Sequence, residues 1–246
     1  MARTQAMESR IHVGTSGWNY KHWIDNFYPT TIKSNELLEY YSLFFDTVEL
    51  NSSFYHLPSQ TTFRSWRENT PDHFLFSVKG SRYITHMKKL KDVNDAVDKI
   101  IDHSQLLAEK RGPILFQLPP GWNVNERRLD SFLKILPRGL PYAFEFRNHS
   151  WYDPIVYSLL EKYNCAFCIY ELNGHLSPVT ETGDFVYIRL HGPAGKYQGR
   201  YSNAALRIWR DRCREWVDAG KDVFIYFDND QNAYAVYNAL ELKELL

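Results

Sequence analysis

The stretch YAFEFRNHSW, Tyr142 to Trp151, alternates apolar and polar residues with a period of two. In a strand that spacing turns Phe144 and Phe146 to one face and Glu145 and Arg147 to the other, with the two charges roughly 7 Å apart. The apolar face has to pack on something. The face with a carboxylate and a guanidinium must either bind a ligand or neutralise itself. Seven more runs of this kind accompany it: IHVGTSGW (11–18), TVELNSSF (47–54), FLFSVK (74–79), PILFQLPP (113–120), AFCIYEL (166–172), FVYIRLHG (185–192) and VFIYFDND (223–230).

Between most of these runs lies a helical pattern of apolar residues. Ser34, Asp92, Asn125, Asp153 followed by Pro154, and Ser202 stand where N-caps belong, and Gly220 stands where the helix after Ser202 should close. Strand and helix alternate eight times, with the helix weak or missing only between the sixth and seventh strands. That alternation predicts an α/β fold with a parallel sheet, and eight repeats predict a single closed (β/α)8 TIM barrel with a degenerate helix between strands 6 and 7. No G-x-G-x-x-G or P-loop supports an open nucleotide-binding sheet instead. The length of 246 residues suits a barrel of about 250. With no linker or composition shift to divide the chain, residues 11–246 read as one domain and 1–10 as a flexible tail.

Lys plus Arg and Asp plus Glu both number 29, so the whole-protein field attracts neither nucleic acid nor anionic membrane, and a polyanion would need a local patch. MARTQAMESR has no apolar signal core, and no run reaches the ~18 apolar residues of a membrane span, so no membrane association and a cytoplasmic location are expected. Three cysteines fit a reducing compartment. The C-x-x-C of Cys165 and Cys168 falls inside an apolar strand-like run, not at a helix start, and reads as two core thiols.

If the more apolar face of each strand meets the helices, the inward set is Gly14, Ser16, Glu49, Asn51, Ser53, Ser77, Lys79, Gln117, Glu145, Arg147, Arg189, His191, Tyr226 and Asp228. Most of these lie in the second half of their strands, the end where barrel active sites are built. The six charges could form a buried network of their own. Burying a charge costs several kcal/mol before pairing, however, which favours a ligand as the reason for keeping them. Trp18, Tyr20, Phe54, Tyr55 and Trp151 follow strands at the same end and offer flat faces for a base or a sugar. Two loops add positive charge there. LHGPAGKYQGRYS (190–202) carries Lys196 and Arg200 in the manner of a lid, and RYITHMKKLK (82–91) carries Arg82, His86 and three lysines that could meet phosphates.

The motifs GTSGWNY, FYP (27–29), TVELNSSFYHLP, FLFSVKGSRYITH, QLPP, EFRNHSW, YIRLHG and YFDND, with NA at 238–239, together resemble the YecE-like family, also called domain of unknown function 72. The resemblance runs from about Ile11 to the C-terminus and implies a (β/α)8 barrel without implying an activity. Carried over residue by residue, its recurrent polar positions fall on Glu49, Asn51, Lys79, Thr85, His86, Glu145, Arg147, Trp151, Arg189, His191 and Gly192. The last strand reads YFDND where the family pattern implies YFNN, so Asp228 places a carboxylate where an amide is expected.

These residues point to an enzyme, a hydrolase or lyase, acting on an anionic substrate such as a sugar phosphate, a nucleotide or a nucleic-acid end. In this reading Lys79, Arg147 and Arg189 hold the anion. Glu49 or Glu145 serves as general base and His191 as general acid. Asn51, His86, Trp18, Tyr20, Trp151 and Asp228 complete the substrate site. The alternative is a binding protein for nucleic acid or a phosphorylated metabolite, without catalysis. No cofactor is expected. Glu49, Glu145, His191 and Asp228 could ligate a divalent metal, but no paired histidine spacing supports one and the neighbouring arginines disfavour it. A glycosidase using Glu49 and Glu145 would need them roughly 5–9.5 Å apart.

Overall fold

The computed structural model describes residues 10–246. Every run read as a strand forms one: β1 (Ile11–Thr15), β2 (Thr47–Leu50), β3 (Leu75–Lys79), β4 (Arg111–Leu118), β5 (Tyr142–Phe146), β6 (Cys165–Leu172), β8 (Phe185–Leu190) and β9 (Asp222–Phe227), with a two-residue β7 (His175–Leu176) added. The eight long strands pair in parallel in the order β1-β9-β8-β6-β5-β4-β3-β2. Helices α1 (Leu37–Ser42), α2 (Ser52–Tyr55), α3 (Gln60–Glu68), α4 (Asn94–Ser104), α5 (Glu126–Ile135), α6 (Pro154–Lys162), α7 (Asn203–Asp218) and α8 (Tyr234–Leu245) fill the crossovers. None of the described helices is long and apolar enough to cross a membrane.

The barrel closes between β1 and β2, where the ladder shrinks to a parallel bridge of Ser16 with Glu49. A side chain does the remaining work. The Thr15 N–H donates to the Tyr41 hydroxyl at 3.0 Å, and that hydroxyl donates to the Thr47 carbonyl at 3.1 Å, so a phenol from α1 stands in for a ladder hydrogen bond. Gly14 lets the two strands meet here: a Cβ at this position would lie 2.3 Å from the Thr47 carbonyl oxygen.

Where the sequence leaves the helix weak, the described chain has a hairpin. Leu172 pairs with His175 across Asn173 and Gly174, both at positive φ (53° and 74°), as a two-residue hairpin turn requires. Asn125, Asp153 and Ser202 cap α5, α6 and α7 through their side chains, and Gly220 at φ 88° closes α7. Ser34 and Asp92 do not act as caps. Helix α1 begins after Glu36, whose carboxylate accepts from the Lys33 N–H, and α4 begins after Val93, with Asp92 itself at φ 51°. Of the expected tail, residues 1–9 lie outside the described residues. Arg10 belongs to the barrel: its Nε donates to Asp222 at 2.8 Å and its carbonyl accepts from the Val223 N–H.

Apolar side chains occupy two compartments. The larger lies between sheet and helices and includes Trp23, Phe63, Phe116, Trp151 and Trp209. The smaller, inside the barrel, holds Leu115, Ala143, Ala166, Cys168, Phe185, Tyr187, Phe224 and Tyr226. Leu115 and Ala143 inside place Gln117 and Glu145 inside as well, the register expected from the sequence, but the 47–54 run stops being a strand at Leu50: Asn51 precedes α2 and Ser53 lies within it, donating to the Lys79 carbonyl. Cys165 and Cys168, an odd number of residues apart on β6, fall in different compartments as buried free thiols.

Candidate functional site

From the middle of the barrel towards the C-terminal ends of the strands, the interior changes from hydroxyls to ions. The Tyr226 hydroxyl sits 2.7 Å from both Thr47 Oγ1 and Ser77 Oγ. One step higher, Arg189 of β8 is completely buried among three carboxylates. Its Nε and Nη2 fork onto Glu49 at 2.9 and 2.7 Å, Nη1 donates to Glu145 at 2.7 Å, and Nη2 also reaches Asp228 at 3.2 Å. Ser16 and Tyr187 donate to the two oxygens of Glu49, each at 2.7 Å. Neither Glu49 nor Arg189 has an atom left for a ligand. Burial alone would weaken the Arg189 charge, but Glu49, Glu145 and Asp228 outweigh it and hold the guanidinium protonated well beyond its ordinary range. Burial likewise pushes Glu145 up, yet Arg147 and Arg189 hold it well below the usual carboxylate range.

His191 is equally buried and sits between charges. Its Nε2 lies 2.8 Å from Arg147 Nη2 and 3.3 Å from Arg189 Nη1, and both of these can only donate. Nε2 is therefore the acceptor, and Nδ1 carries the proton towards Asp228 Oδ2 at 2.9 Å. Burial pushes Asp228 up, but this hydrogen bond with His191 and the charges of Arg189 and Lys79 leave it below its ordinary value.

The layer facing the mouth is coordinated differently. Arg147 donates through Nε to Glu145 and through Nη2 to His191, with its guanidinium 4.7 Å from the Tyr170 ring centroid. Its Nη1 has no protein acceptor among the described residues. Lys79 is only 8% exposed, its Nζ has no hydrogen bond or salt bridge among the described residues, and that Nζ lies 4.5 Å from the centre of the Phe54 ring. Burial first, then Arg189, pushes its amine down to about 8. His86 sits on a π-helical turn, Tyr83–Met87, with Nδ1 2.9 Å from Thr85 Oγ1. Burial, Arg82, Lys79 and Arg147 push this imidazole down to about 4. The contacts of Asp228 with Arg189 and His191 both fall on Oδ2, leaving Oδ1 without a partner among the described residues, where the buried Oδ1 of Asn51 also lacks one.

The expected aromatic contacts divide. Trp18 and Tyr20 are half-buried beside Asn51, where together with Tyr55 and Trp66 they line a cleft of about 740 Å³. Trp151 does not reach the mouth. It is fully buried, stacks on Phe146 at 5.0 Å and donates to the Trp122 carbonyl, because the short helix after β5 turns it into the helix-facing core. The 190–202 loop is tied down, not poised as a lid: Tyr197 N–H donates to the His191 carbonyl, Asn229 holds the Gly199 carbonyl, and Arg200 turns away to Glu241. Tyr170 was absent from the expected set. Its signal was the alternation of Ala166, Cys168 and Tyr170, concealed because both faces of β6 are apolar. Among the described residues no group of three or more His, Cys, Asp or Glu is arranged to hold a metal ion. The carboxylates converge on a guanidinium instead.

The chain matches, over residues 12–246, the family described as "Protein of unknown function DUF72". The UPF0759 protein YunF of Bacillus subtilis is 28% identical to it over 269 aligned residues, covering 96% of this chain and 94% of that one. The UPF0759 protein YecE of Escherichia coli is 31% identical over 143 residues, 58% of this chain and 50% of that protein. A crystal structure of a DUF72 family protein from Thermotoga maritima shares the fold with a TM-score of 0.86 at 27% identity, covering 96% of this chain and 98% of that one. The motif resemblance, the barrel and the match across nearly the whole chain agree: the protein belongs to the DUF72 family of proteins of unknown function.

Proposed function

We propose that this protein is an enzyme, a hydrolase or lyase, acting on an anionic, phosphate-containing substrate bound at the C-terminal mouth of the barrel. The observation that carries this reading is the contrast between cations. Every donor of Arg189 is engaged, whereas Arg147 Nη1 and Lys79 Nζ have no acceptor among the described residues. The open Nη1 of a guanidinium suits a phosphate oxygen, and an ammonium adds a point charge. The depressed His86 supports the same reading, because three of the causes acting on it are neighbouring cations, a local positive potential. His86 is then an uncharged imidazole at neutral pH. Together with Asp228 Oδ1 it supplies groups for moving a proton at the mouth. Glu49, Glu145 and His191 take positioning roles in this reading: each is fully buried with its polar atoms engaged, and they fix Arg189, Arg147 and Asp228.

A thermal-shift series with inorganic phosphate, sugar phosphates, nucleotides and short oligonucleotides, against neutral sugars, tests the reading. A ligand at 100 times its Kd adds about 2.7 kcal/mol of stability. The expected result is a shift by phosphorylated compounds that shrinks with salt and disappears in Arg147→Gln. A response confined to neutral sugars, or none to any anion, contradicts it. Binding without turnover of any phosphorylated compound would leave a binding protein in place of an enzyme.

A further inference from the structure

Lys79 differs from the other charges inside the barrel in having no counter-ion in contact among the described residues. It stands at the C-terminal end of β3, is 92% buried by its 8% exposure, and rests over the Phe54 ring. A lysine held this way is penalised as an ammonium, and the nearby Arg189 adds to the penalty. Glu49, Glu145 and Asp228 pull in the opposite direction without contact and do not restore the ordinary value of 10.5. A barrel interior that gives Arg189 three carboxylates and Lys79 none keeps an amine available as a base or a nucleophile.

We propose that Lys79 is a nucleophile that condenses with a carbonyl group of the substrate, making the substrate a phosphorylated ketone or aldehyde and the reaction that of a lyase. The proposal rests on the anionic-substrate reading for the phosphate half alone. The Nζ lone pair attacks the carbonyl carbon. A C–N bond forms while the C=O π bond breaks, and a proton passes from nitrogen to oxygen to give a carbinolamine. A second proton, taken from bulk water at the mouth, converts the hydroxyl into departing water and leaves a positively charged imine, with the uncharged His86 and the ionised Asp228 placed there to take protons back. When the bond from the carbon next to the imine carbon to its hydroxyl-bearing neighbour breaks, the electron pair moves into the imine and forms an enamine, while the departing fragment leaves as a carbonyl compound whose hydroxyl proton passes to a base at the mouth. Protonation of the enamine carbon and addition of water then return the amine and the carbonyl. No oxidant or reductant takes part. Arg147 Nη1 would hold the phosphate while Lys79 holds the carbon.

Reductive trapping tests this. The whole protein is incubated near pH 8 with sodium cyanoborohydride and either dihydroxyacetone phosphate or dihydroxyacetone, and the adduct is located by peptide mass spectrometry. The expected result is one dominant adduct on the peptide containing Lys79, absent in Lys79→Met, formed at least tenfold faster with the phosphorylated compound and losing that preference in Arg147→Gln. Trapping at Lys79 at equal rates by both compounds supports the nucleophile while contradicting the phosphate reading. Adducts spread over exposed lysines with none on Lys79 overturn the proposal, and a persisting thermal shift by phosphate would then leave the anion reading standing. Localisation in the unsubstituted protein keeps the test decisive even if Lys79→Met folds poorly.

Discussion

Arg189 and Arg147 are the same residue type at the same end of one barrel, yet one is encased and the other is left partly open. Around Arg189 every charge has its opposite in contact: a forked pair with Glu49, a bond to Glu145 and a third contact with Asp228. In the mouth layer, Arg147 Nη1, Lys79 Nζ and Asp228 Oδ1 face no protein partner among the described residues. Residue type therefore does not separate framework from site in this protein. The coordination of each polar atom does.

The largest effect should come from opening the encased layer. Arg189→Met strands Glu49, Glu145 and Asp228 together, and breaking a buried ion cluster in this way costs about 3–5 kcal/mol. Chemical denaturation should show the loss, and a variant as stable as the parent would remove the distinction between the layers. Lys79→Met should change stability in the opposite direction. With its folded value near 8 below the unfolded 10.5, the folded chain binds fewer protons between those values, so stability rises with pH across that window and the penalty is fully present below it. Removing the amine should then stabilise the protein at pH 7 by up to about 3 kcal/mol, with the gain fading towards pH 10. Denaturation at both pH values checks the sign.

The predictions that follow are smaller. Tyr41→Phe deletes the hydroxyl that bridges Thr15 and Thr47 and leaves two buried backbone groups unpaired, a loss of about 2 kcal/mol expected in the same assay. Asp228→Asn introduces the amide that the motif resemblance implies at this position. The amide oxygen can still accept from His191 Nδ1, so stability should change by less than about 1 kcal/mol. Because the Asp228 charge opposes the depression of Lys79, the same variant should move the Lys79 titration further down, and an upward movement would contradict the assigned geometry.

The barrel and its inward register were legible because seven of the eight strand runs carry polar residues on one face in their second halves. Glu145 and Arg147 beside Phe144 and Phe146 leave a single workable register. Strand β6 is less legible, since a parallel strand buried on both sides has little alternation to read, and nothing in its pattern singles out Tyr170. The hairpin after β6 had a local signal in Asn173-Gly174. The Tyr41 seam had none: a phenol reaching from α1 to a gap between the first two strands is a property of tertiary packing. The candidate site was legible as a set of residues but not as layers. Depth along the barrel axis determines whether Glu49 and Arg189 are encased or open, and depth depends on how neighbouring strands are staggered. Trp151 shows the same limit, since one turn of helix after β5 sends it to the core.

The central claim, that the mouth layer holds an uncompensated amine and a partly open guanidinium, is tested most directly by titrating Lys79 itself. Side-chain nitrogen and carbon resonances followed against pH, assigned by comparison with Lys79→Met, should show one lysine with a midpoint near 8 that moves upward when phosphate is bound. A Lys79 midpoint near the ordinary 10.5, unmoved by phosphate, would contradict the account.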